Sequence, residues 1–309
     1  MALLRRGASR ASNCTSKSLT RPLAIYTPIH GRRHISTTNT EKPPFNPNQP
    51  IKYTQTPNPT WKLGDGAIDN NENKTKKHIP INPSDPARAP SKNYKFLISS
   101  IVPRPIALIS TLSPTGKNPN DGKAKLNLAP FSYFQVINHD PPMFVVSFTP
   151  PGSRSPKSQK DTLRNLTETG ECVINVVSEH MLQAANATTI NAEYGDSEFD
   201  YSGLTPAYDT ETVNGVPRVL ESIVSIEGHL IETKEFESRV APSDPKKKKG
   251  RTTLAIIEGT RFWVREDAID ATELAAVDLQ VLRPVSRLGG DAYGRTTEVV
   301  EIERPIKRS

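Results

Sequence analysis

The 309-residue sequence lacks features that several large protein classes require. It has only two cysteines, Cys14 and Cys172, which excludes a framework of several disulfides. No apolar run approaches the roughly 20 residues that a membrane-spanning helix needs, so we predict no membrane span. The 28 prolines argue against an all-helical bundle, because a proline inside a helix costs about 3 kcal/mol.

Common nucleotide-binding and catalytic motifs are also missing. No Gly-x-Gly-x-x-Gly or Walker segment is present, which argues against a Rossmann or P-loop fold. No Gly-x-Ser-x-Gly segment marks a serine hydrolase. The six histidines do not cluster with cysteines, so we predict no metal site. Since no acid or base stands out either, the catalytic residues stay unassigned.

Excess positive charge is confined to one end of the chain. The formal net charge is +7, and the first 40 residues hold seven basic side chains and no acid. The other 33 Lys and Arg balance 33 Asp and Glu. We predict no nucleic-acid partner, because such binding depends on neutralising phosphates and Lys246–Lys249 offers only a small patch.

Residues 1–40 have the composition of a transit peptide. They are Arg-rich, free of acids, and contain 11 Ser and Thr residues, as mitochondrial and plastid import signals do. Arg33 and Ile35 resemble the flanks of a matrix-processing site. We predict a mitochondrial protein, with the matrix as the favoured compartment. The alternative is a basic terminus without an address, with a cytoplasmic location, or a nuclear one if Lys246–Lys249 is a localisation signal.

Residues 41–90 contain ten prolines and few large apolar side chains. Such a segment cannot offset the entropy of ordering, so we predict a Pro-rich linker that is largely disordered. The alternative is an extended segment lying along the folded domain, with Trp61 and Leu63 as anchors.

Residues 91–309 are predicted to form one domain of short strands and a few helices. Ser158 is the expected cap and Gly170 the stop of the second helix, and residues 113–125 read as a hairpin loop. Both faces of the strand at 171–178 are apolar, so we expect burial on both sides. The fold class is mainly β with helical decoration, as a barrel or sandwich. The predicted helices span residues 94–101, 158–169 and 179–190, and the strands span 106–112, 126–137, 143–149, 171–178, 217–235 and 253–265.

Three segments rich in hydroxyls and amides are the best candidates for a binding site: residues 103–111, 127–134 and 160–165. Lys160 and Thr162, near a predicted helix start, offer a cation, a hydroxyl and unpaired amides to a phosphate. The segment at 127–134 offers donors to a planar heteroaromatic ring. Taken singly, its aromatic residues are better explained as core, and Lys160 as a solvated helix residue. Together the segments favour an aromatic phosphate ester as ligand.

Four motifs, in this order, resemble the flavin reductase-like family: Pro103–Ala107, Asn127–Phe134, Asp140–Pro142 and Lys160–Thr162. The resemblance covers about residues 92–290 and is strongest to the flavoprotein oxygenase-like subgroup. Arg287–Gly290, followed by Tyr293, is similar to the C-terminal signature of that subgroup. The resemblance implies an FMN-binding split β-barrel of Greek-key type, in a homodimer with the flavin at the subunit interface.

The resemblance also implies positions for the cofactor-binding residues. Ser110 and Thr111 would lie near the ribityl chain or phosphate, the segment at 127–134 along the isoalloxazine, and Lys160 and Thr162 at the phosphate. The full set of implied cofactor-binding residues is Arg104, Ser110, Thr111, Asn127, Ala129, Pro130, Phe131, Ser132, Tyr133, Lys160 and Thr162.

The implied function is that of an FMN-dependent oxidoreductase, either an NAD(P)H-dependent flavin reductase or a flavoprotein oxygenase. Electrons would pass from nicotinamide to FMN and on to oxygen, free flavin or a partner oxygenase. One departure weakens the reductase: many members carry a histidine just before the strand here beginning at Thr253, where this chain has Arg251 and Thr252. An FMN-binding carrier or storage protein without turnover is therefore the alternative.

Overall fold

The computed structural model of the chain is built around one seven-stranded antiparallel sheet. It describes residues 42–69, 72–117, 124–150, 159–239 and 249–305. The predicted transit peptide, the predicted cap Ser158 and Lys246–Lys248 lie outside the described residues. The transit peptide and the interpretations of the lysine run therefore stay predictions.

The strands of the described residues are short at both ends of the chain and long in the middle. The longest, β9 and β10, run for 14 residues each and pair with each other. In chain order the strands are β1 (Lys52–Thr54), β2 (Ala107–Lys117), β3 (Ala124–Phe131), β4 (Phe134–His139), β5 (Pro142–Phe148), β6 (Glu171–Val176), β7 (Pro206–Ala207), β8 (Arg218–Val219), β9 (Val224–Glu237), β10 (Arg251–Val264), β11 (Val285–Arg287), β12 (Tyr293–Arg295) and β13 (Glu298–Val300).

The large sheet curls until its two edge strands meet. Its order is β3-β2-β6-β9-β10-β5-β4. Only Ser132 and Tyr133 connect β3 to β4, so the two edges of the sheet lie side by side. The Tyr133 carbonyl accepts a hydrogen bond of 2.9 Å from the Ser147 amide on β5, and the rings of Phe131 and Phe148 meet edge-on at 4.7 Å across the join. The result is a barrel with helices around it.

The helices cover the ends and one side of the barrel. The helix α3 ends at Gly170, which adopts the left-handed conformation at φ 78° that glycine tolerates best. In chain order the helices are α1 (Glu72–Thr75), α2 (Pro90–Ser100), α3 (Asp161–Thr169), α4 (Leu182–Ala187), α5 (Glu198–Ser202) and α6 (Leu279–Leu282), with single 3₁₀ turns at Glu179–Met181 and Glu266–Ala268.

The two larger hydrophobic clusters of the domain lie on opposite faces of β2 and β3, and a third, small one packs Val173 against Val213 and Val216. The inner cluster fills the barrel and is closed by Leu163 and Leu166 of α3. The outer cluster packs Leu108 and Leu128 against α4, α5 and β11. Because consecutive residues of a strand point to opposite faces, β2 contributes Ala107 to the inner cluster and Leu108 to the outer one. This two-sided burial explains why β2 reads as a nearly continuous apolar run.

Most predicted elements of the domain are present with shifted ends. The mainly β fold class and the two-sided burial of β6 are confirmed. The single predicted strand at 126–137 is wrong, since the chain breaks at Ser132 and Tyr133 and the halves form opposite edges of the sheet. The predicted turn or long hairpin loop at 113–125 does lie between two antiparallel paired strands, but β2 extends into it up to Lys117 and β3 begins already at Ala124. The helix at 158–169 begins only at Asp161, with Lys160 as its N-cap, so the prediction of Ser158 as the cap is wrong.

Part of the predicted linker lies along the domain. β1 pairs in parallel with β13, and Ile51 is buried between them and Gln280, whose side-chain amide bonds both the Ile51 amide and its carbonyl. Trp61 and Leu63, the expected anchors, are instead exposed. Ile51 is an isolated apolar side chain between Pro50 and Lys52 in the sequence, which is why composition alone did not single it out.

Glu179 joins this N-terminal strap to the C-terminal strands. Its buried carboxylate accepts hydrogen bonds from Arg283 at 2.9 and 3.1 Å and from Arg295 at 2.8 Å on each of its oxygens. The same arginines donate to the carbonyls of Gln49 and Asn46. Burial works to raise the pKa of Glu179, but the hydrogen bonds and charges of the two arginines outweigh it, so the pKa lies below its usual range.

We expect Glu179→Gln to lower the free energy of unfolding by about 2–4 kcal/mol at pH 7, because it leaves two partly buried guanidinium groups without their carboxylate. Since the folded pKa is depressed, the stabilisation is present above the unfolded pKa of about 4.3 and is lost as the pH falls through the folded pKa. The difference in the free energy of unfolding between Glu179→Gln and the original protein should therefore disappear in acid. Urea unfolding between pH 3 and 7 measures this difference. The control is Glu168→Gln, which removes an exposed ion pair with Arg164 and should lower the free energy of unfolding by less than about 0.5 kcal/mol.

Candidate functional site

An open cleft of ≈ 180 Å³ lies where the edge strand β3 meets the amino end of α3. Side chains at alternate positions of β3 form its floor, and the end of α4 with the following residues forms the opposite wall. The lining residues are Asn127, Ala129, Pro130, Phe131, Gln159, Lys160, Asp161, Thr162, Thr188, Thr189, Ile190, Asn191 and Glu198.

The amino end of α3 has no side-chain cap, unlike α5 and α6. The Ser197 side chain accepts a hydrogen bond from the Phe199 amide of α5, and the Asp278 side chain accepts one from the Gln280 amide of α6. Lys160 precedes α3 in an extended conformation, and its side chain makes no such bond. The first amides of a helix have no partner within it and carry its partial positive charge. The exposed Lys160 adds a full positive charge. This end of the cleft therefore suits an anion, although the Asp161 carboxylate opposes one.

A buried polar network ties α3 to the barrel beneath the cleft. The Asn127 amide donates to the hydroxyl of Thr162 at 2.8 Å and to that of Thr111 at 3.4 Å. The Asn165 amide donates to Thr111 at 3.1 Å, and the Tyr194 hydroxyl donates to the Asn165 oxygen at 3.0 Å. Thr162, Thr111, Asn127 and Asn165 are all buried. The network fixes Asn127 and Thr162 as the floor of the anion-binding end.

The unpaired edge of β3 presents no free amide donor between Asn127 and Phe131. The amide of Leu128 donates at 2.9 Å to the buried carboxylate of Glu198. Two residues on, and therefore facing the same way, Pro130 has no N–H to satisfy. The edge facing the cleft offers a ligand carbonyl groups and apolar surface instead.

The predicted site residues do not all meet at the cleft. Asn127, Ala129, Pro130, Phe131, Lys160 and Thr162 line it, and Thr111 lies beneath it in the network. Ser110 points to the other face of β2, where its hydroxyl bonds the Pro217 carbonyl. The period of two along a strand separates Ser110 from Thr111.

Arg104 serves the backbone rather than the cleft. Its guanidinium donates to the carbonyls of Ile98 and Ile101, both at 2.7 Å, and of Leu288 at 3.0 Å. The first two bonds satisfy carbonyls at the carboxyl end of α2, and the third ties that end to Leu288. A weaker bond of 3.4 Å reaches the hydroxyl of Ser132.

Ser132 and Tyr133 lie beyond the far end of β3. Burial and the nearby Tyr94 raise the pKa of Tyr133, while Arg104 opposes the shift, so Tyr133 is a neutral phenol at physiological pH. Burial and Glu171 raise the pKa of Cys172 to about 12. Cys172 is therefore a core residue and not a nucleophile.

Sequence reasoning missed the wall of the cleft opposite β3. Thr188, Thr189, Asn191 and Glu198 reach it from a segment far along the chain, and no local pattern marks them. In the described part of the chain, no group of His, Cys, Asp or Glu side chains is placed to hold a metal ion. Within those same residues, no helix is both long and apolar enough to cross a membrane.

Known proteins share both the sequence pattern and the barrel. Residues 99–279 match the family model described as flavin reductase like domain. An uncharacterized protein of Halalkalibacterium halodurans is 34% identical over 74% of this chain and 97% of its own. Nitrilotriacetate monooxygenase component B from Bacillus cereus is 29% identical, with a TM-score of 0.62, and the match covers 74% of this chain and all of that one.

A further solved structure is 2-nitrobenzoate 2-nitroreductase NbaA from Pseudomonas fluorescens. It is 26% identical, with a TM-score of 0.58, over 75% of this chain and 98% of that one. The fold and the site thus define a split β-barrel of the flavoprotein type. The chain belongs to the flavin reductase-like family.

We expect Thr111→Val to lower the free energy of unfolding by about 1–3 kcal/mol, because the amides of Asn127 and Asn165 lose a buried acceptor. Thr111→Ser keeps the hydroxyl and should cost less than about 1 kcal/mol. Urea unfolding followed by circular dichroism measures both. Equal stabilities of the two variants would contradict a role for the hydroxyl.

Proposed function

We propose that this protein is an FMN-dependent oxidoreductase that takes electrons from a nicotinamide nucleotide and passes them to oxygen, free flavin, a small acceptor or a partner oxygenase. The observation that carries the proposal is the cleft itself. Its uncapped helix end with Lys160 and Thr162 suits a phosphate, and its strand β3 offers a long, mostly apolar floor. FMN combines these two chemistries in one molecule.

The phosphate would be held at the amino end of α3. Lys160 supplies the charge and the helix supplies amides. The Thr162 oxygen is the acceptor in its bond with Asn127, so its hydrogen can be donated to a phosphate oxygen. The buried network holds this hydroxyl in place before a ligand arrives, which lowers the entropy cost of binding.

The ring system would lie along β3. Ala129 is small and leaves room above the strand, while Phe131 is held in place by its edge-on contact with Phe148. Because Glu198 and Pro130 leave the edge without a free amide, the surface favours a flat, largely apolar group. When bound there, FMN would supply the two-electron chemistry, and the protein would supply orientation and exclude water.

The relatives support the class of reaction. Members of the family are typically oxidoreductases. One structural relative is the component B of a monooxygenase and the other is a nitroreductase. Both descriptions fit delivery of electrons to a second protein or to a small acceptor.

One observation favours the alternative of a flavin carrier without turnover. Where many family members have a histidine, Arg251 forms ion pairs with Glu235 at 2.9 Å and Glu237 at 3.1 Å. Thr253 is buried in β10. Neither side chain can replace an imidazole at a nicotinamide.

The proposal includes a homodimer. The helix α2 and the strand β4 expose apolar side chains, and Tyr94 and Tyr133 lie close enough to interact electrostatically at their junction. A face of this kind is typical of an interface between copies of a chain. The exposed residues are Tyr94, Phe96, Leu97, Ile101, Val102, Val136 and Ile137.

The decisive experiment is spectroscopic. The full chain, supplied with FMN and passed over a desalting column, should keep the visible absorbance of a bound flavin. Anaerobic mixing with NADH and, separately, NADPH should bleach it within seconds for an enzyme but not for a carrier. A protein that keeps no flavin would end the proposal, and sedimentation velocity of the same preparation would test the homodimer.

Lys160→Gln should weaken FMN binding about tenfold or more, because a charge-assisted hydrogen bond to the phosphate is lost. Its affinity for riboflavin, which lacks the phosphate, should stay within about twofold of the original. Arg164→Gln removes a cation from the same helix outside the cleft and is the matched control. Flavin fluorescence titration measures the affinities of the original protein and of both variants for FMN and riboflavin. Equal losses for FMN and riboflavin would contradict a phosphate at Lys160.

A further inference from the structure

A second cavity, of ≈ 170 Å³, lies beside the cleft. Pro130 and Thr189 line both spaces, so they form the wall between them. The lining is mostly apolar, and three of its polar side chains lie together, because Arg287 stacks on Tyr293 and both Tyr293 and Thr189 bond Asn186; we call this part the polar end. The apolar residues are Ile106, Pro130, Val177, Leu182 and Ala185, and the polar side chains are Ser132, Thr189, Arg287 and Tyr293.

The polar end contains a buried donor without an acceptor. The Nη1 atom of Arg287 is shielded from solvent and has no hydrogen-bond partner, and within the described residues Arg287 forms no ion pair. Its guanidinium stacks 4.4 Å from the ring centre of Tyr293. The backbones of Arg287 and Arg104 exchange two hydrogen bonds, of 2.9 and 3.2 Å, which fix the position of the Arg287 backbone.

No described acid bonds this donor, although Asp291 lies close enough to Tyr293 to interact with it electrostatically. The nearby buried acid, Glu179, is already shared by Arg283 and Arg295. The hydroxyls of Thr189 and Tyr293 donate to the carbonyl and side-chain oxygen of Asn186. Arg287 as a whole is half-buried, but a donor atom shielded from water without an acceptor is costly, so its position beside a cavity points to an acceptor that is not part of the protein.

We propose that this cavity binds a small monocarboxylate with a compact apolar body, such as a single aromatic ring. The carboxylate would accept from Arg287 and from Ser132, whose oxygen accepts from Arg104 and whose hydrogen can be donated. The body would fill the apolar end. A cavity of about 150 Å³ is large enough for one benzene ring. That such a molecule is a substrate rests on the proposed flavin function, because it would share a wall with the flavin, whereas binding itself does not.

Isothermal calorimetry on the full chain, without and with FMN, tests binding using benzoate, benzamide and acetate as probes. Benzoate should bind. Benzamide, which lacks the negative charge, and acetate, which lacks the ring, should each bind with an affinity lower by about tenfold or more. Equal binding of benzoate and benzamide, or no benzoate binding at millimolar concentration, would overturn the proposal.

Three variants locate the site. Arg287→Gln should weaken benzoate about tenfold or more, and Arg287→Lys should lose clearly less because it keeps the charge. Leu182→Phe narrows the apolar end and should weaken benzoate while leaving Arg287 intact. Arg251→Gln, at an exposed ion pair, is the control and should bind as the original protein does. Melting curves check that each variant is folded, and an unchanged benzoate affinity in Arg287→Gln would contradict the assignment.

The two proposals can fail separately. Benzoate binding to a chain that holds no FMN would keep the carboxylate site and end the flavin function. FMN binding without benzoate binding would do the reverse. In the FMN-loaded protein, benzoate should shift the visible flavin spectrum without releasing the flavin. Displacement of benzoate by FMN would show that Arg287 belongs to the flavin site and would overturn the second cavity as a separate site.

Discussion

The closing of the sheet at Ser132 and Tyr133 is the constraint on which the rest of the structure depends. A two-residue link can only join strands that are neighbours in space, so the sheet has to curl until β3 meets β4. The curl encloses the inner cluster and leaves β3 with one unpaired edge. An open edge invites aggregation unless it is covered or disarmed. Glu198 bonds the Leu128 amide of this edge and Pro130 has no amide hydrogen, so the edge has no free donor for another strand. The space beside this edge is the cleft.

The buried network under α3 follows from the same arrangement. Thr111 and Asn127 face each other on paired strands, with their side chains on the face that α3 covers. Polar groups on a covered face have to bond one another, and Asn165 and Thr162 of the helix complete the set. The position of α3 is thereby set by hydrogen bonds as well as by Leu163 and Leu166. Its amino end points at the cleft because the network allows few other positions.

The sequence predicts local features of this structure better than distant ones. The two-sided burial of β6 and the stop at Gly170 depend on neighbours within a few residues, and both are confirmed. The split of residues 126–137 into two edges depends on the closure of the sheet, because Ser132 and Tyr133 themselves fit a strand well. Ser110 and Thr111 could not both face one site, and the period of two could have predicted this. Which of the two faces the helix depends on α3, which is distant in the chain.

Charge in this protein acts through position and not through the total. The chain is neutral outside the first 40 residues, and the single carboxylate of Glu179 is shared by two arginines in direct contact, which leaves that cluster with one positive charge. Lys160 and Arg287 remain at opposite ends of β3, each beside its own cavity. Asn127 within β3 lines the cleft and Ser132, just after β3, lines the second cavity. The two positions are five residues apart, about 17 Å along a strand. An extended ligand anchored at Lys160 would therefore point along β3 toward Pro130, and a second anion at Arg287 would meet its far end rather than compete with its phosphate.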